Sequence, residues 1–387
     1  MIELATVLAG PNCGRYLADF GADVIKVERP GVGDTTRSLG WRDPSDDVTF
    51  FWKLVGRGKR SVELDLATQA GRRALLALAS SADVVIENFR PGKLEALGLG
   101  PEVLHASNPD LVITRVSGFG QDGPYARRAG FATLAEAMSG FAAINGSAES
   151  GPTLPPIALT DEVTALVAAF ATMVAVHSGV GQVVDVNLLE SMLQLMGPLL
   201  STYMRTGVQQ ERLGSQIPYT VPRNTYRCAD GRWVAVSTSA ESVARRVMEL
   251  VGLGDDDRFV SFDGRVAHRQ EVDGALARWV AERSSEVVLA EFDRVEAAAA
   301  LVYDMADLAG DPHLAERGAV IDVGGTPMQG LVARLSATPG RVRWPARSLG
   351  ADTDAVLAEL DGSIDTVAGI EGAEATGGSC NPGAARS

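Results

Sequence analysis

The chain has 387 residues, enough for two domains, and 46% are hydrophobic against 22% charged, the balance of a soluble globular protein. With 35 basic and 49 acidic residues the net charge is -14, which argues against broad nucleic-acid or anionic-membrane binding, since both need a basic face. The cysteines, Cys13, Cys228 and Cys380, lie far apart in sequence and predict a reducing compartment without a disulfide framework. His105, His177, His268 and His313 stand alone, without the companions of a metal motif, so no metal is expected. The opening Met1-Ile2-Glu3-Leu4-Ala5 has no basic n-region and no signal-like apolar run. The expected location is cytoplasmic.

In chain order, Ile2–Leu4 reads as a short strand and Asn12–Phe20 as a helix stopped by Gly21. Asp23–Glu28 is a strand ended by Pro30, and Ser61–Asp65 a further one before a helix over Gln69–Ala79. Asp83–Glu87 and Leu111–Ser117 are buried-strand runs; Gln182–Asn187 is another, with a helix over Leu188–Thr206. Strands alternating with helices predict a doubly wound parallel sheet of the α/β class. Gly207–Asn224, with Pro218 and Pro222, reads as a linker. A strand at Arg232–Ser237 and helices over Ser242–Val251, Glu271–Glu282 and Glu286–Ala300 then predict a smaller α+β unit. Strand signals return from Val320, and Asp352–Leu360 is a short helix. The predicted domains are 1–205 with 320–375, and 220–318; 376–387, rich in Gly, Ala and Ser, is expected to be disordered.

One helix stands apart. Between Val163 and Val176 no side chain ionises, while Asp161 and Glu162 occupy its first turn. A helix apolar all round belongs in a core, and this stretch is too short to span a bilayer. First-turn acids are favoured by the helix dipole. They are either ordinary helix-start residues or a desolvated carboxylate able to act as a nucleophile. Arg37, Lys53, Arg57, Lys59, Arg60, Arg90 and Lys93 fall in loops near strand ends, where an open α/β sheet binds ligands. Such cations could hold phosphates, or be scattered surface charges. No Gly-x-Gly-x-x-Gly, P-loop or Gly-x-Ser-x-Gly is present, which argues against a nicotinamide dehydrogenase.

Several segments together carry a resemblance: Leu8-Ala9-Gly10-Pro11, Leu17 to Glu28, Gly33-Asp34-Thr35-Thr36-Arg37, Gly58 to Asp65, Ala82 to Gly92, Gly181 to Val186, Asp230 to Trp233, Asp311 to Leu314 and Gly350 to Asp354. They resemble the class III CoA-transferases, a family that includes formyl-CoA and carnitine CoA-transferases and α-methylacyl-CoA racemase. The resemblance implies a CoA-transferase acting on an acyl-CoA and a small carboxylic acid, in an interlocked homodimer, with no nucleic acid, membrane or metal. It implies that Asp161 is the nucleophile, through an aspartyl anhydride and an aspartyl-CoA thioester. It implies coenzyme A near Val7, Ala9, Arg37, Lys59, Asn88, Phe89, Arg90 and Lys93, with the cations facing phosphates.

The chain also departs from the pattern. Leu8 stands where formyl-CoA transferases carry glutamine, and Phe131-Ala132 where transferases often carry Tyr and an acid. Ala96 replaces a frequent basic residue. No glycine-rich oxalate loop is found in Gly207–Asn224, so oxalate is not the expected acceptor. Phe131 also occupies the racemase branch's histidine position and cannot exchange a proton. An acyl-CoA racemase and a non-catalytic CoA-binding protein are the alternative readings.

Overall fold

The computed structural model describes residues 1–238 and 240–360. The tail 376–387 and the end of the large-domain segment, 361–375, lie outside the described residues. By its contacts the described chain divides into two compact units, one of Met1–Ser139, Pro155–Gly197 and the described residues from Gly318 on, the other of Gly140–Leu154 and Pro198–Arg317. The short segment Gly140–Leu154 thus clusters with the second unit, although it falls within the first 205 residues.

The first unit is built on β1 (Ile2–Glu3), β2 (Val24–Glu28), β3 (Lys59–Glu63), β4 (Val84–Glu87), β5 (Val112–Ser117) and β6 (Gln182–Asn187). They form one sheet in the order β3-β2-β1-β4-β5-β6, and every pairing is parallel. The chain winds outward in one direction from β1 and in the other from β4, so the topological switch point lies between those strands. Side chains alternate across the sheet. Ile2, Leu4, Ile25, Val27, Val62 and Val85 point to one face and build a core with Leu75, Leu76 and Leu78 of the Gln69–Ala79 helix. Glu3 and Lys26 point to the other face, beneath the first helix, Ala9–Asp19. That helix rides close on β1. A Cβ on Gly14 would lie 1.9 Å from Glu3 Oε2, so only glycine fits there.

The long helix runs over Leu159–Ser178 and ends at Gly179, whose φ of 69° is the left-handed C-cap glycine adopts freely. Its buried stripe is made of small residues, Thr164, Ala165, Ala168, Ala169, Thr172 and Ala175. Small side chains let it approach the first helix and β5, where Thr172 Oγ1 lies 2.6 Å from Thr114 Oγ1. Two sequence expectations need correction here. The helix is 20 residues long, with a mean hydropathy of 1.6 in its most apolar window, so length does not exclude a membrane span. Its place before β6 and against β5 is that of a core helix. Nor is it buried all round: Phe170 is 71% and Val174 54% exposed in the single chain.

The second unit holds an antiparallel sheet of β7 (Arg223–Arg227), β8 (Trp233–Ser237) and β9 (Ala298–Leu301). The helices Glu241–Leu250, Arg269–Ala281 and Ser285–Arg294 cover it through Val234, Val236, Val247, Leu276, Val288 and Phe292. The helix expected over Glu286–Ala300 stops at Arg294. Its alanine-rich end becomes β9, because pairing with β8 overrides the helical propensity of alanine. The helix expected over Leu188–Thr206 is two, Leu188–Leu195 and Leu199–Thr206, broken at Gly197-Pro198. A hairpin of β10 (Val320–Val323) and β11 (Thr326–Gln329) belongs to the first unit.

Candidate active site

In a parallel sheet a helix that connects two strands runs back across the face, so its N-terminus sits at the carboxyl edge. The first helix and the long helix both start there. Hydrogen bonds tie their opening turns together: Asn12 Nδ2 donates to Glu162 Oε1 at 2.7 Å and the Tyr16 hydroxyl to Glu162 Oε2 at 2.8 Å. Arg15, stacked on Tyr16, lies 3.6 Å from the same carboxylate. Glu162 is therefore committed to holding two helices together.

Its neighbour Asp161 has the opposite environment. It is half-buried, and among the described residues no hydrogen bond or ion pair reaches its carboxylate. Burial pushes its pKa up to about 6, and the charges of Glu136 and Glu162 push the same way. Glu136, on the Ala132–Met138 helix, is 4% exposed and accepts from Thr160 Oγ1 at 2.9 Å. The sequence reading missed Glu136; its signal was a lone carboxylate in the otherwise uncharged run Ala132–Met138. Asp161 is thus poorly solvated, unpartnered and still ionised at neutral pH, the state a carboxylate nucleophile needs.

The switch point lies at the same carboxyl edge of the sheet. The turn after β1 is clamped by Asn88, which accepts from Thr6 N at 2.8 Å and donates to Thr6 O at 2.6 Å. Val7 follows with φ of 70°, a strained conformation for a β-branched residue. Ala9 begins the first helix and is buried. A cavity of about 510 Å³ opens over the strand ends, lined by Thr6, Arg29, Asp34, Leu66, Phe89 and Lys93 among others. That volume suits a nucleotide-sized ligand.

The cations named from sequence separate into two groups. Lys59 is 2% exposed; its ammonium donates to Pro11 O at 2.6 Å and pairs with Glu3 at 2.7 Å. It has no face open to a phosphate, which corrects the expectation. Arg37 grips Glu28 through two bonds of 2.8 and 2.7 Å and stacks on Trp52, so its guanidinium is committed too. Arg57 is wholly buried against Asp19, Lys53 pairs with Asp43, and Arg60 bridges Asp23 and Glu359. Arg90 and Lys93 are exposed, and neither side chain has an ion-pair partner among the described residues. Arg29, which sequence reading did not single out, joins Lys93 in the cavity wall.

Leu8, at the position of the formyl-CoA transferases' glutamine, is buried against Trp52 and Val55. Phe131 is 65% exposed at the start of the Glu136 helix. No cluster of three or more metal-ligating side chains occurs among the described residues.

The family model for CoA-transferase family III matches residues 1–353. The chain belongs to that family. It is a class III CoA-transferase, as the resemblance implied. It is 40% identical to the succinyl-CoA–D-citramalate CoA-transferase of Chloroflexus aurantiacus over 94% of this chain and 93% of that one. It is 34% identical to the succinate–glutarate CoA-transferase of Agrobacterium fabrum over 93% and 94% of the two chains. Among solved structures it is similar to a CAIB/BAIF family protein from Brucella suis, with a TM-score of 0.82 and 32% identity over 93% of this chain and 97% of that one. The α/β architecture with a six-stranded parallel sheet agrees with that likeness.

Proposed function

We propose that the enzyme moves CoA from a dicarboxylic acyl-CoA such as succinyl-CoA to a second small dicarboxylic acid, with Asp161 as the covalent carrier. The observation that carries this reading is the desolvated, unpartnered Asp161 carboxylate at the sheet's carboxyl edge. The relatives' named activities, on succinyl-CoA with D-citramalate and on succinate with glutarate, supply the substrate class. Asp161 attacks the thioester carbonyl, the C–S bond breaks, and CoA leaves as thiolate from a mixed anhydride. The thiolate attacks the aspartyl carbonyl and releases the donor acid as a carboxylate. The acceptor carboxylate then attacks the aspartyl thioester, freeing the thiolate and forming a second anhydride. The thiolate takes the new acyl group and returns Asp161 ionised. Every step exchanges one anionic nucleophile for another, so no proton need move.

The nucleotide end of CoA is placed in the cavity with Phe89, with Arg29, Arg90 and Lys93 toward its phosphates. A charge-assisted phosphate bond contributes about 1.5–3 kcal/mol. Lys93→Ala and Arg90→Ala should therefore each weaken CoA binding by roughly ten- to a hundredfold. A calorimetric titration in which both variants bind CoA like the wild type would move the nucleotide elsewhere. For the substrate class, the protein is incubated with succinyl-CoA and a panel of acids, and new thioesters are read by mass spectrometry. New thioesters from four- and five-carbon dicarboxylates are expected. Transfer only to monocarboxylates would contradict the assignment.

A homodimer is part of the same proposal. The exposed apolar side of the long helix, with Phe170, Met173 and Val174, is supporting ground for a covered face. Light scattering should give twice the chain mass, and a monomer at assay concentration would remove this part.

A further inference from the structure

Both lysines on the first-helix face of the sheet, Lys26 and Lys59, are almost wholly buried and lie on either side of one carboxylate. Lys26 pairs with Glu3 at 3.0 Å and Asp34 at 2.7 Å; Lys59 pairs with the other oxygen of Glu3 at 2.7 Å. Two cations and two anions balance, so the group can stay charged in the interior. Three of the four, all but Glu3, then reach out to the same stretch of backbone. Lys26 donates to Ala5 O, Asp34 accepts from Val7 N at 3.3 Å, and Lys59 donates to Pro11 O at 2.6 Å. Asn88 holds Thr6 between them. The stretch from Ala5 to Pro11 is thus gripped at both ends and at two points between.

The gripped stretch contains Val7 at φ of 70°. Left-handed backbone in a β-branched residue is strained and persists where its surroundings over-determine it. We infer that Lys59 and Lys26, with Glu3 and Asp34, are positioning residues that hold the turn after β1 in the geometry CoA transfer uses, and that Lys59 acts through Pro11 and not on a CoA phosphate. This rests on the placement of transfer beside that turn. It gives the Gly58-Lys59 and Ile25-Lys26 segments of the sequence a task that ligand contact does not supply.

The test is a split between kcat and KM measured on two donors, succinyl-CoA and succinyl-pantetheine, which lacks the nucleotide and its phosphates. Lys59→Met is made together with Glu3→Gln, so that no buried carboxylate loses its partner. Displacement of a turn by about 1 Å can cost on the order of a hundredfold in rate. The double variant should lose about tenfold or more in kcat on both donors, with KM changed by less than about threefold. A rise in KM for succinyl-CoA alone would make Lys59 a phosphate ligand and overturn the inference. Wild-type kinetics on both donors would also overturn it, leaving the group a structural charge balance. Should the double variant not fold, Asn88→Ala decides, because it removes a neutral, half-buried clamp on the same turn. The same split is expected from it, and unchanged kcat on both donors would reject the positioning role. Asp161→Ala is run in parallel: activity there would reject the placement of the chemistry itself, independently of what the clamp variants do.

Discussion

Asp161→Ala is expected to reduce transfer by roughly 10⁴-fold or more, the scale seen when a covalent nucleophile is removed. The substitution shortens one half-buried side chain that no hydrogen bond or ion pair reaches among the described residues. The fold should therefore survive, and circular dichroism should match the wild type. A stability change is expected as well, and its sign can be worked out. The folded pKa of about 6 lies above the ordinary value of 3.8. The stabilising contribution of the neutral form is complete below pH 4, and it disappears as pH rises through 6. At pH 7 the buried charge therefore destabilises the fold, by about 2–3 kcal/mol for a shift of that size. Asp161→Asn removes the charge and should melt a few degrees higher at pH 7, with the advantage gone near pH 4. The transfer rate of the wild type should fall as pH drops through 6, as the nucleophile is protonated. An Asp161→Ala enzyme with wild-type turnover, or an Asn variant less stable than the wild type at pH 7, would refute this description of the site.

Arg57→Ala should have the largest effect on stability. Arg57 is completely buried and bonds both oxygens of Asp19, at 3.1 and 2.6 Å. Its guanidinium also donates to Gln329 O and Gly330 O, fastening the end of β11 to the first helix. Truncation leaves Asp19 charged, buried and without its bidentate partner. Breaking a buried pair in this way costs about 3–5 kcal/mol. Urea unfolding should show a midpoint shift of that size. Since Arg57 lies outside the cavity wall, KM for the acyl-CoA should hold in the protein that remains folded. A midpoint within about 0.5 kcal/mol of the wild type would mean that the pair is solvated and weak.

Much of the first unit was readable from the residues, and the reasons are local. Buried parallel strands leave apolar runs such as Asp83–Glu87 and Leu111–Ser117, and β4 and β5 appear within them. The helix over Gln69–Ala79 has the predicted bounds, because Thr68 caps it by accepting from Gly71 N. Charged residues were much harder to place. A lysine after a glycine turn, as in Gly58-Lys59, has the same local signature whether it faces solvent or a buried Glu3 more than fifty positions earlier. Arg57 and Asp19, and Lys26 and Asp34, pose the same problem: the partner that decides burial is supplied by tertiary structure. The acidic first turn of the uncharged helix was legible, but that signal covered Asp161 and Glu162 alike, and only the resemblance singled out Asp161. Glu136 escaped notice since its proximity to Asp161 comes from the packing of two helices, not from spacing.

The most direct test of the account is to trap the carrier. The enzyme is incubated with succinyl-CoA, quenched with hydroxylamine and digested, and the peptide containing Asp161 is read by mass spectrometry. Hydroxylamine attacks an activated aspartyl carbonyl and leaves a hydroxamate on that side chain. The account predicts this modification at Asp161, dependent on succinyl-CoA and absent without it. An unmodified Asp161 in enzyme that is turning over, or a hydroxamate formed on another residue instead, would contradict it.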